Sequence, residues 1–286
     1  MHIEPLISWQ IIPWLCLIFT ISLVFIKPKF WPYGSLITLV VGFVFGVVDI
    51  IGVAAVSALF ALSYGANKLS NKIIRGTFTT LVIVGCVALA AHLLPGFNNL
   101  LVLDDVQKSI NSIGFTMYLN FDKPMILFAL LLLYPSILEQ NKVTTEKPLI
   151  GAKKIAFVIL AISVIFVLAF ILKLIKPEPS IPSWWWLFAL NNLLLTCVAE
   201  EVFFRGYIQQ KVTKIFSPII GICVASVLFG VAHFAGGVGY VIVATLAGIL
   251  YGLVYNSTGK VSYAILIHFV VNLLHLFFFT YPLARY

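Results

Sequence analysis

Ten apolar runs, near residues 6–26, 34–48, 50–66, 77–94, 124–138, 152–174, 184–204, 218–234, 238–255 and 261–281, follow one another with only short polar or basic gaps between them. A hydrocarbon layer about 30 Å thick takes about 20 such residues per helix. Inside it, every backbone N–H and C=O must find its partner within the protein. The chain is 62% hydrophobic and 10% charged, with a mean hydropathy of +1.09. Soluble domains run at about 45–50% apolar and about 25% charged. The expected fold class is all-α, a polytopic transmembrane helical bundle of about 8–10 segments. The first run, Leu6 to Ile26, has no basic leader and no small-residue cleavage pattern, so it is read as a retained helix.

The formal charge of +8 gives no ground for a nucleic-acid partner, because the Lys and Arg residues fall in the gaps and form no single patch. Membrane topology accounts for them. Lys27/Lys29, Lys68/Lys72/Arg75, Lys142/Lys147/Lys153/Lys154, Arg205/Lys211/Lys214 and Lys260 are expected to face the cytoplasm, and the acidic gap 95–123 the outside. Ten segments with both termini outside satisfy every loop except Lys173/Lys176, which can snorkel at a helix end. This counting requires 34–66 to be a hairpin of two short helices with Asp49 at the turn. Cys16, Cys86, Cys197 and Cys223 lie inside apolar runs without paired spacing and read as small buried hydrophobes.

The Pro-rich stretch 176–183 ahead of Trp184-Trp185-Trp186 divides the chain. Residues 1–176 are read as an N-terminal transmembrane region of unknown role, and residues 177–286 as the transmembrane core that carries the function. The spacings Gly42/Gly46 and Gly248/Gly252 fit close helix packing.

Chemistry enters at residues 200–205, Glu-Glu-Val-Phe-Phe-Arg. An ionisable group at membrane depth costs about 2.5–3.5 kcal/mol, so three together need both neutralisation and a purpose. Asn192, Thr196 and Glu200 recur at i, i+4 and i+8 and form a polar stripe. Glu201 precedes Arg205 by four residues, the favoured order for a helical ion pair, which leaves Glu200 to work. The chain reverses near Ser217-Pro218, and positions 200 and 233 are equidistant from that turn, so antiparallel helices set Glu200 and His233 at one level. A polar tip at Gln209, Gln210, Lys211 and Lys214 is expected to protrude from the bilayer. His268, Asn272 and His275 share one face of the last helix, with His275 deeper and structural. Asp49 reads as a turn residue and His92 as an interfacial or packed histidine.

A carboxylate in a low-dielectric site is a competent general base, and a His with an Asn amide can donate hydrogen bonds to an oxyanion. Hydrolysis of an amide by activated water fits this set. Glu200, His233 and His268 also fit a catalytic Zn²⁺ with an open position, although the helical His-Glu-x-x-His signature is absent.

Glu200-Glu201-x-x-x-Arg205, Phe229-x-x-x-His233 and His268-x-x-x-Asn272 resemble the three motifs of the CPBP family of intramembrane proteases (CAAX protease and bacteriocin-processing, or Abi). Phe-Arg-Gly at 204–206 and Leu-Phe-Gly at 228–230 add to the likeness, which covers roughly 180–281. The resemblance implies an endopeptidase acting near the cytoplasmic membrane face, in a bacterial cytoplasmic membrane, on a peptide or membrane-protein substrate. It implies that Glu200 and His233 activate water, that Glu201 with Arg205 orders the site, and that His268 and Asn272 hold the oxyanion. It leaves metal dependence open. Two other classes compete: a proton-coupled transporter, which predicts flux across sealed vesicles, and a non-catalytic scaffold or immunity protein, which predicts function without Glu200 and His233.

Overall fold

The computed structural model describes residues 9–139 and 151–286; the start of the first apolar run and the expected cytoplasmic Lys142 and Lys147 lie outside the described residues, as does the side chain of Lys153. Among the described residues there are ten helices: α1 (Ile12–Ile26), α2 (Trp31–Val44), α3 (Ile50–Lys68), α4 (Lys72–Ala90), α5 (Met125–Leu133), α6 (Ala152–Ile171), α7 (Trp185–Ile215), α8 (Pro218–Val231), α9 (Val238–Thr258) and α10 (Val261–Phe278). One two-stranded sheet joins β1 (Leu100–Val106) to β2 (Phe115–Leu119). Among the described residues, seven helical segments are long and apolar enough to cross a membrane.

Local chemistry sets the helix starts. The Asp49 carboxylate accepts from the amides of Ile51 and Gly52, and Asn71 caps α4 through Ile73 and Ile74 in the same way. Ser217 caps α8 with Pro218 in the first turn. The hairpin expected across 34–66 is therefore present, turned at Asp49. The helix expected at 77–94 starts five residues earlier, because the Asn71 cap admits Lys72 and Arg75 into its first turn.

Two compact units are described separately. The first comprises the chain up to Val106, Thr116–Pro135 and Leu194–Ala199. Its interior is α5, a nine-residue helix buried at every position except Leu132. At 1.5 Å per residue α5 is about 14 Å long, shorter than the run 124–138 from which a helix of full span was expected. The Trp14 indole donates to Leu119 O at 2.9 Å, and Trp31 stacks on Phe128. Gly42 lies against Phe121, as close packing requires, whereas Gly46 (φ +71°) is a turn residue beyond the end of α2. His92 is exposed at the surface rather than packed inside, yet its Nδ1 meets the buried Asp122 Oδ2 at 2.7 Å, and Asn99 and the Lys123 amide complete that carboxylate's partners. The Asp49 turn pairs with the gap after α4, through Asp49 N–H to Gly96 O and Asn98 N–H to Val47 O.

The second unit comprises Gln107–Phe115, Ser136–Leu193 and Glu200–Tyr286. Here the Pro-rich stretch is tied down. Glu178 N–H donates to Phe278 O at 2.7 Å and Thr280 N–H to Lys176 O at 2.9 Å. Lys108 donates to Glu178 O (2.8 Å) and Phe279 O (2.6 Å), and the Glu178 carboxylate accepts from Ser109 and Asn111. Burial holds the Lys108 ammonium below the usual lysine range, partly offset by the charge of Glu178. Trp184 is buried against Phe115, Phe188 and Tyr281, so of the expected tryptophan anchor only Trp185 and Trp186 remain partly exposed.

At the opposite end of the unit, Val261 N–H donates to Leu138 O and Glu139 pairs with Lys260. Gln209 and Gln210 do not form a wet tip. Both are buried against α9, where Gln209 donates to Gly252 O (2.9 Å) and Gln210 to the Tyr255 hydroxyl (3.2 Å). Gly248 and Gly252 take the close packing expected of them, against Ser226 and against Gln209 with Ile222.

Candidate active site

Both glutamates stand on α7, whose winding is not uniform. The backbone widens to i→i+5 bonding over Asn191–Cys197 and again over Val202–Gln209, and a single α turn, Val198–Glu201, lies between. Such wide turns are rare and concentrate at functional sites. They also break the phase of the expected polar stripe. Past Glu201 the chain must come close to the segment after α5. A Cβ on Gly206 would lie 2.9 Å from Ile137 Cγ1 and 3.0 Å from its carbonyl oxygen, so only glycine fits there.

Glu201 and Arg205 are fully buried. Arg205 Nε donates to Glu201 Oε2 at 2.9 Å, and the guanidinium lies 5.2 Å from the Phe229 ring and 5.8 Å from the Tyr251 ring. Its Nη1 and Nη2 have no hydrogen-bond partner among the described residues, and cation–π attraction to the two rings offsets part of the cost of burying them. The other oxygen of Glu201 accepts from His268 Nδ1 at 2.9 Å. One carboxylate therefore bridges an arginine and a histidine, a link the sequence did not disclose.

His268 is clamped further by Tyr251, stacked at 4.7 Å and 15°, and by the edge of Phe229 at 5.5 Å. With Nδ1 given to Glu201, His268 Nε2 is turned toward Glu200, 3.9 Å from Oε2. That is too long for a hydrogen bond and short enough for one water to touch both. Glu200 keeps 14% side-chain exposure where Glu201 has none.

His233 stands two residues beyond the end of α8, not on the helix as expected. With 14 residues, α8 is about 21 Å long. Gly237 (φ +84°) then reverses the chain into α9. His233 Nδ1 donates to Phe229 O at 2.7 Å, which leaves Nε2 with its lone pair, and the imidazole packs on the Phe229 ring at 4.6 Å. Phe229, named from the sequence only as a motif position, thus touches Arg205, His233 and His268 together.

A cleft of about 70 Å³ is lined by His233, Tyr240, Tyr251, His268, Asn272 and His275, with apolar residues of α6 completing the wall. Asn272 donates to Asn192 Oδ1 at 3.1 Å, and His275 Nε2 donates to Thr280 O at 3.1 Å. Glu200 lies near enough for its charge to act on Tyr240. The sequence reading missed Tyr240 and Tyr251. Their signal was present: Tyr240, Ala244, Ala247 and Tyr251 recur at i, i+4, i+7 and i+11, an aromatic-and-small stripe on one face of α9.

The sequence also offered Glu200, His233 and His268 as a zinc ligand set. Among the described residues no three His, Cys, Asp or Glu side chains are grouped to hold a metal. His233 and His268 each give Nδ1 to a protein acceptor, which leaves Nε2, the nitrogen through which a histidine so held takes a metal, and Glu200 Oε2 stands 3.9 Å from His268 Nε2.

Taken together, these features define a multi-pass helical membrane protein with a buried carboxylate–histidine–arginine centre opening on a small cleft. Residues 182–274 match the family model for Rce1-like proteins, described as type II CAAX prenyl endopeptidase Rce1-like. The segment that carries all three motifs is thus similar to the CPBP/CAAX protease family. No curated protein and no solved structure matches the chain.

Proposed function

We propose that the chain is an intramembrane endopeptidase that hydrolyses a peptide bond near the cytoplasmic membrane face, on a prenylated CAAX-type peptide. The observation that carries this reading is the pairing of Glu200 with His268 Nε2 at 3.9 Å beside a cleft, over a fully buried Glu201–Arg205 clamp. The description of the matched family and the apolar α6 wall of the cleft support the substrate class.

In this mechanism one water sits between Glu200 and the imidazoles. Glu200 takes a proton from it, with His233 Nε2 as a second acceptor, and the water oxygen attacks the carbonyl carbon. The carbonyl electron pair moves to its oxygen, where Asn272 and doubly protonated His268 donate hydrogen bonds. With His268 in that form, two carboxylates face one guanidinium and one imidazolium, and the centre is neutral. Glu200 returns its proton to the amide nitrogen as the C–N bond breaks, leaving an amine and a carboxylic acid. Glu201 and Arg205 touch no reacting atom; they fix His268.

Reconstituted in liposomes with a quenched farnesylated CAAX peptide, Glu200→Gln is expected to lose about 10²–10⁴-fold in kcat, the usual worth of a general base. Wild-type turnover is expected to persist in chelator. Full activity of Glu200→Gln removes the hydrolase reading, and loss in chelator that zinc restores removes the metal-free mechanism.

A further inference from the structure

The proposed reaction calls for hydrogen-bond donors at the carbonyl oxygen, and the two expected from the sequence are partly committed. His268 gives its Nδ1 hydrogen to Glu201, so it can donate into the cleft only from Nε2 and only as the imidazolium. Asn272 gives one amide hydrogen to Asn192, so at most one of its two is left for a substrate.

Tyr240 lines the same cleft, on the first turn of α9. Its ring is fixed on two sides. It lies 5.9 Å from the His233 ring, and its Cβ and Cγ occupy the space that a side chain on Gly236 would need, at 2.8 and 2.7 Å from the position of a Cβ there. Glycine at 236 is thus what admits the tyrosine ring. The phenol is a neutral donor whose hydrogen needs no change of protonation state. No hydrogen bond ties that hydroxyl to another group among the described residues.

Resting on the protease reading above, we infer that the Tyr240 hydroxyl is a catalytic hydrogen-bond donor to the carbonyl oxygen of the scissile amide, completing the oxyanion site with Asn272. No bond of Tyr240 breaks: its hydrogen stays on the phenol while the carbonyl pair moves to oxygen, and the contact shortens as that oxygen becomes negative. The interaction is stronger in the transition state than with the bound amide, so it acts on kcat and leaves KM.

The test is Tyr240→Phe in the full-length chain in liposomes, assayed beside wild type and Glu200→Gln on a panel of quenched peptides, farnesylated and unmodified. Phenylalanine keeps the ring against His233 and over Gly236 and removes only the hydroxyl. A fall in kcat of about 10²-fold or more, with KM within a factor of about two and unchanged thermal stability, is expected for one oxyanion donor. Unchanged kcat, or a rise in KM alone, overturns the role of Tyr240 while the protease reading stands on the loss in Glu200→Gln. If Glu200→Gln matches wild type, or wild type cleaves no member of the panel, the protease reading falls and this inference with it.

Discussion

At the scale of single residues the site is governed by one buried carboxylate. Glu201 has no exposure, and both of its oxygens are engaged, one by Arg205 and the other by His268. Breaking a buried ion pair from one side leaves the survivor uncompensated, at a cost of about 3–5 kcal/mol. Arg205→Ala is therefore expected to destabilise the protein by that amount in unfolding measurements in micelles, and Arg205→Lys to recover only part of it. Lysine keeps the charge but cannot donate from Nε to Glu201 while lying flat on Phe229 and Tyr251. A double variant, Glu201→Gln with Arg205→Met, should lose less than the sum of the two single changes. Additive losses would show that the two groups do not act as a pair. The Glu201–Arg205 half was legible from the i,i+4 spacing. The bond from Glu201 to His268 spans 67 positions in the sequence, and no local spacing announces it.

At the scale of elements, α8 and α9 pack closest at Gly230. A Cβ there would run into Thr245 Oγ1 and lie 2.7 Å from Val241 O, and Thr245 is itself anchored to Val241 O. Gly230→Ala must push the helices apart or bend them, which costs about 1–3 kcal/mol in a well-packed interior. Adding Thr245→Ala should return part of that loss, because the hydroxyl is one of the two obstacles and the carbonyl is the other. A Gly230→Ala melting temperature equal to wild type would mean that the helices do not meet there. Apolar run length placed these helices within a few residues. Two features escaped it: the wide turns of α7 and the early end of α8. Both replace regular i→i+4 bonding with another arrangement, which is stable only when neighbouring elements are in place.

At the scale of the whole molecule, the second unit brings 107–115, 176–180 and 277–285 together through Lys108, Glu178 and Thr280. It separately brings 138–139 to 260–261. Charge counting assigns the first set to the outside and the second to the cytoplasm. In a background without the four native cysteines, Ser180→Cys should react with a membrane-impermeant maleimide on intact right-side-out vesicles. Ser257→Cys, exposed near the end of α9, should react only after permeabilisation. Equal reactivity at the two positions would break the alternation.

Membrane class, the approximate placement of the apolar helices and the candidate site residues were legible in the sequence alone, because hydrocarbon tolerates few charges and every one retained is conspicuous. Tertiary structure alone decided that Glu201 holds His268, that Phe229 joins three charged or polar groups, and that Tyr240 enters the cleft. Such contacts depend on how helices rotate and approach one another. That rotation is set by glycine-sized gaps and by wide turns in α7, and neither changes the run of apolar residues that a sequence displays.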